Sequence, residues 1–154
     1  MTAISRVAFI GNSLPRRCGI ATFTTDLQQA LAGSAPPVET GIVAMTDHGH
    51  AYDYPSAVCL EITDKKLEDY ERAANSVNAG GYEVASLQHE FGIFGGEAGA
   101  HVITLMTQLR MPIVTTLHTV LAQPTPVQRS VFEAILDAST RVIVMAEKGR
   151  ELLR

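Results

Sequence analysis

Short apolar runs of strand length recur along this chain, and segments with helical spacing lie between them. That alternation constrains the fold more than any other feature. Residues 5–11, 38–45, 57–62, 82–88, 112–118 and 141–146 read as six strands, the first compact and apolar as a strand buried on both faces should be. Between them, residues 20–33 place Ile20, Phe23, Leu27, Ala30 and Leu31 on one helical stripe. Residues 65–79 read as a polar helix stopped by Gly80-Gly81. Residues 96–110 carry Ala98, Val102, Leu105 and Leu109 on one stripe, and 124–139 form a helix with Pro126 in its first turn. A last helix follows the sixth strand and, with no stop signal, is expected to run on at Arg154.

Strands alternating with helices at this spacing imply a parallel sheet with helices on both faces and right-handed crossovers. The expected fold is a Rossmann-like three-layer α/β/α domain with a mostly parallel sheet of about six strands. At 154 residues the chain fits one domain, 1–154. A net charge of −4 lends no support to nucleic-acid or anionic-membrane binding, so no nucleic-acid partner is expected. The two cysteines, Cys18 and Cys59, have no CxxC spacing and suggest neither a zinc site nor a disulfide framework. No apolar run has membrane-helix length and no signal-peptide core opens the chain, so a cytoplasmic location is the expectation.

In such sheets ligands sit at the carboxyl ends of the strands. The loops to examine are therefore "GNSLPRRCGIA", "HEFGIFGGEAG" and "HTVLAQPTP", after the first, fourth and fifth strands. The first is neither a dinucleotide fingerprint nor a Walker A loop, since glycines are missing at Ser13 and Arg16 and no GK[ST] follows. Gly19, Ile20 and Ala21 could still offer free backbone N–H groups to a phosphate at a helix start, with Arg16 and Arg17 adding charge. The alternative is a long turn with solvated arginines.

In the second loop, His89 and Glu90 could accept a proton or bond sugar hydroxyls, Gly92 could admit close approach, and Phe91 and Phe94 could offer an apolar platform. The alternative is a turn whose phenylalanines fold back into the core. His118 ends the fifth strand, where a structural and a functional role are both open. His101 falls inside a helix without assigned chemistry. Asp47, His48, His50 and Asp53 could ligate a metal on paper but lack a recognised spacing and read as a solvated loop, so no metal site is expected. Cys18 with His89 or His118 could form a nucleophile–base pair, although nothing in the sequence brings them together.

"SLPRRCGIATFTTDL", "LQHEFGIFGGEAG", "TLHT" and "RVIVMAEKGRELL", in this order, resemble the N-terminal half of retaining glycosyltransferases of the large group 1 (family 4) class, which have the GT-B fold. The likeness covers nearly the whole chain and is weakest over residues 46–80. It implies an acceptor-side domain facing a second, donor-binding domain across a cleft. Carried over by position, Gly19 with Ile20 and Arg16 would approach the donor diphosphate. His89, Glu90, Phe91 and Gly92 would line the acceptor side, and His118 would be the active-site histidine beside the reacting sugar. The reaction would transfer a hexose from a nucleotide-sugar to a glycan, lipid or small polyol, with retention and with no cofactor beyond that co-substrate.

The family's donor domain, with its Glu-x7-Glu pair, would lie downstream of Arg154. On this resemblance the chain is an acceptor-binding fragment, inactive alone, whose partners are the nucleotide-sugar, the acceptor and the missing C-terminal domain. The resemblance also admits peripheral membrane contact by the whole enzyme. Arg16 and Arg17 stand where that family often has a more glycine-rich loop, which weakens their assignment to phosphate. Two rivals remain: a freestanding Rossmann-like nucleotide- or carbohydrate-binding module without catalysis, and a Cys-His hydrolase.

Overall fold

A computed structural model describes residues 2–154. The chain runs β1 (Arg6–Gly11), α1 (Gly19–Ala32), β2 (Glu39–Thr46), β3 (Val58–Thr63), α2 (Leu67–Ala79), β4 (Val84–His89), a 3₁₀ turn (Glu97–Gly99), α3 (His101–Gln108), β5 (Ile113–Leu117), α4 (Pro126–Ala138), β6 (Arg141–Val144) and α5 (Glu147–Leu152). The six strands form one sheet in the order β3-β2-β1-β4-β5-β6, and every neighbouring pair is parallel. This is the Rossmann-like α/β fold that the alternation of strands and helices predicts. No helix among the described residues is long and apolar enough to cross a membrane.

Alternate residues of the central strands feed two cores, as the period of two requires. Ala8, Ile10, Val43, Met45, Ala85 and Leu87 face α2, α3 and α4, and pack with Tyr70, Val102, Leu105 and Ile135. Val7, Phe9, Ile42 and Ala44 face the other way, onto Leu27 and Leu31 of α1 and onto Tyr54 and Ala57. Each fully buried Ile or Leu contributes about 2 kcal/mol of transfer free energy. The β2–β3 connection carries no helix. Its loop supplies Tyr54 and Ala57 to the second core where a helix would otherwise pack.

Local chemistry sets the helix starts. Thr125 caps α4 through its hydroxyl, Gln128 reaches back to the Thr125 N–H at 2.9 Å, and Pro126 occupies the first turn. Cys18 caps α1, its Sγ accepting the Ala21 N–H at 3.3 Å.

Two elements differ from expectation. The helix over 96–110 is split, because Gly96, Ala98 and Gly99 adopt φ of 80°, 52° and 78°, and α3 begins only at His101. The last helix spans Glu147–Leu152 rather than running on at Arg154: Leu153 is its C-cap, and the Arg154 N–H turns back to the Glu151 carbonyl at 3.3 Å.

The split has a packing cause. The Gly95 N–H donates to the Tyr70 hydroxyl at 2.9 Å, and that hydroxyl donates to the Asp64 carbonyl at 2.8 Å. The loop therefore lies flat on the β3–α2 junction, and a Cβ at Gly95 would collide with the Asp64 carbonyl. Gly92, by contrast, is surrounded by open space. Gly95→Ala is expected to cost at least about 2 kcal/mol in urea unfolding, while Gly92→Ala changes stability by less than about 0.5 kcal/mol. Equal effects would refute this account of the loop.

Candidate functional site

The register of β1, β4 and β5 lays their carboxyl ends side by side, and the three loops singled out from the sequence meet there. At Gly11 an added Cβ would lie 2.9 Å from Gln88 Cβ and 3.4 Å from Thr24 Oγ1. The missing side chain thus lets β4 and α1 close on the end of β1. Asn12 and Ser13 follow, both buried.

Arg16 turns inward. Its guanidinium bonds Asn12 Oδ1 at 3.0 Å and pairs with Asp47 at 2.9 Å, and its side chain is only 16% exposed. Its charge is spent on tying the first loop to the end of β2, whereas Arg17 is exposed. Among the described residues, the backbone N–H groups of Gly19 and Ile20 find no acceptor. They stand at the positive end of the 14-residue α1, and beyond its chain neighbours and its own helix backbone nothing lies within 4 Å of a Cβ built on Gly19. Two oriented donors beside open space suit an anion.

Gln88 organises the next part of the site. It is fully buried; its amide nitrogen donates to Ser86 Oγ at 3.2 Å, and its Oε1 faces His118 Nε2 at 2.9 Å. With Oε1 as the acceptor, His118 carries its proton on Nε2 and keeps a lone pair on Nδ1. The Phe23 ring lies edge-on to the imidazole at 5.0 Å, which completes the fixing of its plane. Burial lowers the pKa of His118 below the usual histidine range, against the opposing charge of Glu90. The imidazole is therefore neutral at pH 7, with one nitrogen available to accept a proton or a hydrogen bond.

Glu90 joins the loops after β4 and β5. One carboxylate oxygen accepts the Phe91 N–H at 2.9 Å and the other accepts the Thr119 hydroxyl. Gly92 is exposed. His89 is not at the cleft surface, contrary to the expectation that it lines the acceptor side. It is fully buried, stacked on Phe94 at 5.9 Å and edge-on to Phe91 at 5.0 Å, with Phe132 closing the box. Neither of its ring nitrogens has a partner among the described residues. Phe94 likewise belongs to the core, so only half-buried Phe91 is left of the apolar platform.

The thiol–imidazole pairing does not form. Cys18 Sγ is held by Asn12 Nδ2 and the Ala21 N–H, each at 3.3 Å, and no hydrogen bond joins it to either histidine. Asp47 is committed to Arg16 and to the Tyr52 hydroxyl. Among the described residues, no group of three or more histidines, cysteines or carboxylates gathers as a metal site would. The sequence reading missed Gln88 altogether. A glutamine before His89 was its only signal, and the role follows from the register that sets Gln88 against Thr116, two residues before His118.

No family model matches this sequence, and no curated protein does. Among solved structures, the chain is similar to an α-glucosyltransferase in complex with UDP and a 13-mer DNA containing a central A:G mismatch. The TM-score is 0.57 at 12% identity, over 93% of this chain and 39% of that one. A Staphylococcus aureus homoserine dehydrogenase aligns more loosely, with a TM-score of 0.44 and 12% identity over 91% of this chain and 32% of that one. The first likeness establishes a fold shared with part of a glycosyltransferase, and this chain spans well under half the length of either structure.

Two predictions follow from the geometry. Burial pulls the His89 pKa down to about 4, so the folded state holds it neutral while the unfolded chain protonates near 6.5. The stability this represents is fully present above pH 6.5 and is lost as pH falls toward 4, by about 3 kcal/mol in total. His89→Leu is expected to flatten the decline in Tm between pH 6.5 and 4; an unchanged slope would contradict it. Gly19→Val is expected to leave urea stability within about 0.5 kcal/mol of wild type, because its side chain meets nothing in the protein. A large loss would mean that this glycine serves the turn.

Proposed function

We propose that this chain is the acceptor-side domain of a retaining glycosyltransferase that moves a hexose from a nucleotide-sugar to a hydroxyl of a glycan, lipid or small polyol. The observation that carries this reading is the juxtaposition of Gln88-oriented His118 with the free N–H groups of Gly19 and Ile20 along one sheet edge. In the reaction, the bond between the anomeric carbon and the diphosphate oxygen breaks. A bond to the acceptor oxygen forms on the same face, and the acceptor hydroxyl gives up its proton to the departing diphosphate oxygen. The N–H groups at the start of α1 would hold the leaving diphosphate. Nδ1 of His118 would accept a hydrogen bond from a hydroxyl of the reacting sugar. Glu90, Phe91 and Gly92 would border the acceptor, and Arg16 would act indirectly by holding the first loop against β2.

A fold shared with 39% of an α-glucosyltransferase supports the assignment of the chain to one side of a two-domain cleft. The donor-binding side would come from a second domain, and the whole enzyme would work in the cytoplasm. Here His89 serves as the floor beneath the acceptor loop rather than as a ligand of the sugar.

The test is a transfer assay with the protein expressed from its complete reading frame, supplied with UDP-glucose and other nucleotide-sugars. His118→Ala is expected to lower kcat/KM at least about tenfold, equivalent to about 1.4 kcal/mol of transition-state stabilisation. Cys18→Ser should change it by less than about threefold, which a thiol nucleophile could not survive. Wild-type turnover in His118→Ala would remove His118 from the site, and hydrolysis abolished by Cys18→Ser would replace the reading.

A further inference from the structure

The loop of residues 47–57 carries chemistry that the cleft around His118 does not use. Together with β3 and the start of α2 it borders an open cavity of about 840 Å³, within the size range of small-molecule sites. The loop contributes the rings of His50, Tyr52 and Tyr54. His50 and Tyr52 lie nearly parallel with centroids 6.4 Å apart, and Tyr54 continues the row at 5.5 Å. Both tyrosine hydroxyls are anchored in the protein: Tyr52 donates to Asp47 at 3.1 Å, and Tyr54 donates to the Met45 carbonyl at 3.2 Å beside the Thr46 hydroxyl. The rings are thus held in place without a ligand.

The charges on the lining balance. Two carboxylates, Glu61 and Asp69, face two cations, Lys66 and Arg72. Arg72 pairs with Asp69 at 3.1 Å and donates to the Glu61 carbonyl at 3.1 Å, and Asp69 also accepts the Thr63 N–H. What is left over is one carboxylate oxygen of Glu61, whose other oxygen takes the Thr46 hydroxyl at 3.0 Å, and the Lys66 ammonium, which forms no ion pair among the described residues. The lining carries no net charge of either sign to favour a phosphate or a metal ion. An uncharged ligand rich in hydroxyls finds a strong acceptor, a strong donor and fixed aromatic faces for its C–H surfaces.

We propose that this cavity is a binding site for a neutral saccharide, gripped by Glu61 and Lys66 and stacked on the Tyr52–Tyr54 row. The site stands apart from His118: β2 and β5 are three strand spacings apart, about 14 Å. It does not depend on the transfer reaction.

Amide chemical shifts of the ¹⁵N-labelled protein, titrated separately with maltotriose, cellotriose and N,N′-diacetylchitobiose, test it. At least one sugar is expected to shift the signals of residues 50–54 and 59–72 saturably, with Kd on the order of millimolar. Glu61→Gln keeps the side-chain shape and should weaken that binding about tenfold, as should Tyr52→Ala. If Tyr52→Ala fails to fold, Glu61→Gln decides. The proposal is overturned if none of the three sugars shifts these residues, if the shifts are confined to residues 117–120, or if Glu61→Gln binds as wild type does.

Discussion

A ladder in which every pair is parallel is the constraint on which the rest depends. It sets all six carboxyl ends on one edge, and it buries the central strands β1, β2 and β4 on both faces. The order β2-β1-β4-β5 then makes neighbours of loops far apart in sequence. Gly11 permits the close approach of Gln88 and Thr24, Gln88 fixes the plane and tautomer of His118, and Glu90 ties the fourth loop to the fifth. None of these contacts survives a slip of one residue in register, because the slip would turn Gln88 to the opposite face.

The fold was legible because its signals are local. Apolar runs bounded by glycine and polar loops mark the strands, and the Thr-Pro-x-Gln start of α4 announces its own capping box. The pairing order was not legible, since it depends on contacts between distant segments. The split before α3 escaped because the stripe through Ala98, Val102, Leu105 and Leu109 has helical spacing even though Ala98 is left-handed. Periodicity reports which side chains turn inward, and it is silent on whether three glycines will be used for backbone shape.

The candidate site was legible in part. Position after a strand drew attention to His118, Gly19 and Glu90, whose loops the sheet gathers at one end, and equally to His89, which lies one residue before Glu90 but is fully buried. Strand alternation accounts for the difference: His89 is the last residue of β4 and is enclosed by Phe91, Phe94 and Phe132, whereas Glu90 begins the loop. The 47–57 loop read as solvated because Asp47, His48, His50 and Asp53 follow no recognised ligand spacing. Its structure comes from anchors at Asp47, Met45 and Thr46 that only the folded β2 edge provides.

The central position of β1 also orders events in time. Its first neighbour, β2, follows soon after α1, but its second is β4, and Val7 must wait for Val84 before that ladder can close. A growing chain with only β1, β2 and β3 assembled exposes the backbone of β1 along one side, beside Phe9 and Ile10. Pairing between segments so distant in sequence is slow, because loop closure costs entropy before the contact returns any energy. Until β4 is made, β1, a strand buried from Val7 to Gly11 in the finished fold, is an open edge able to pair with another chain. The strand order that assembles the site thus places the greatest risk of misassembly in the interval between the synthesis of β1 and that of β4.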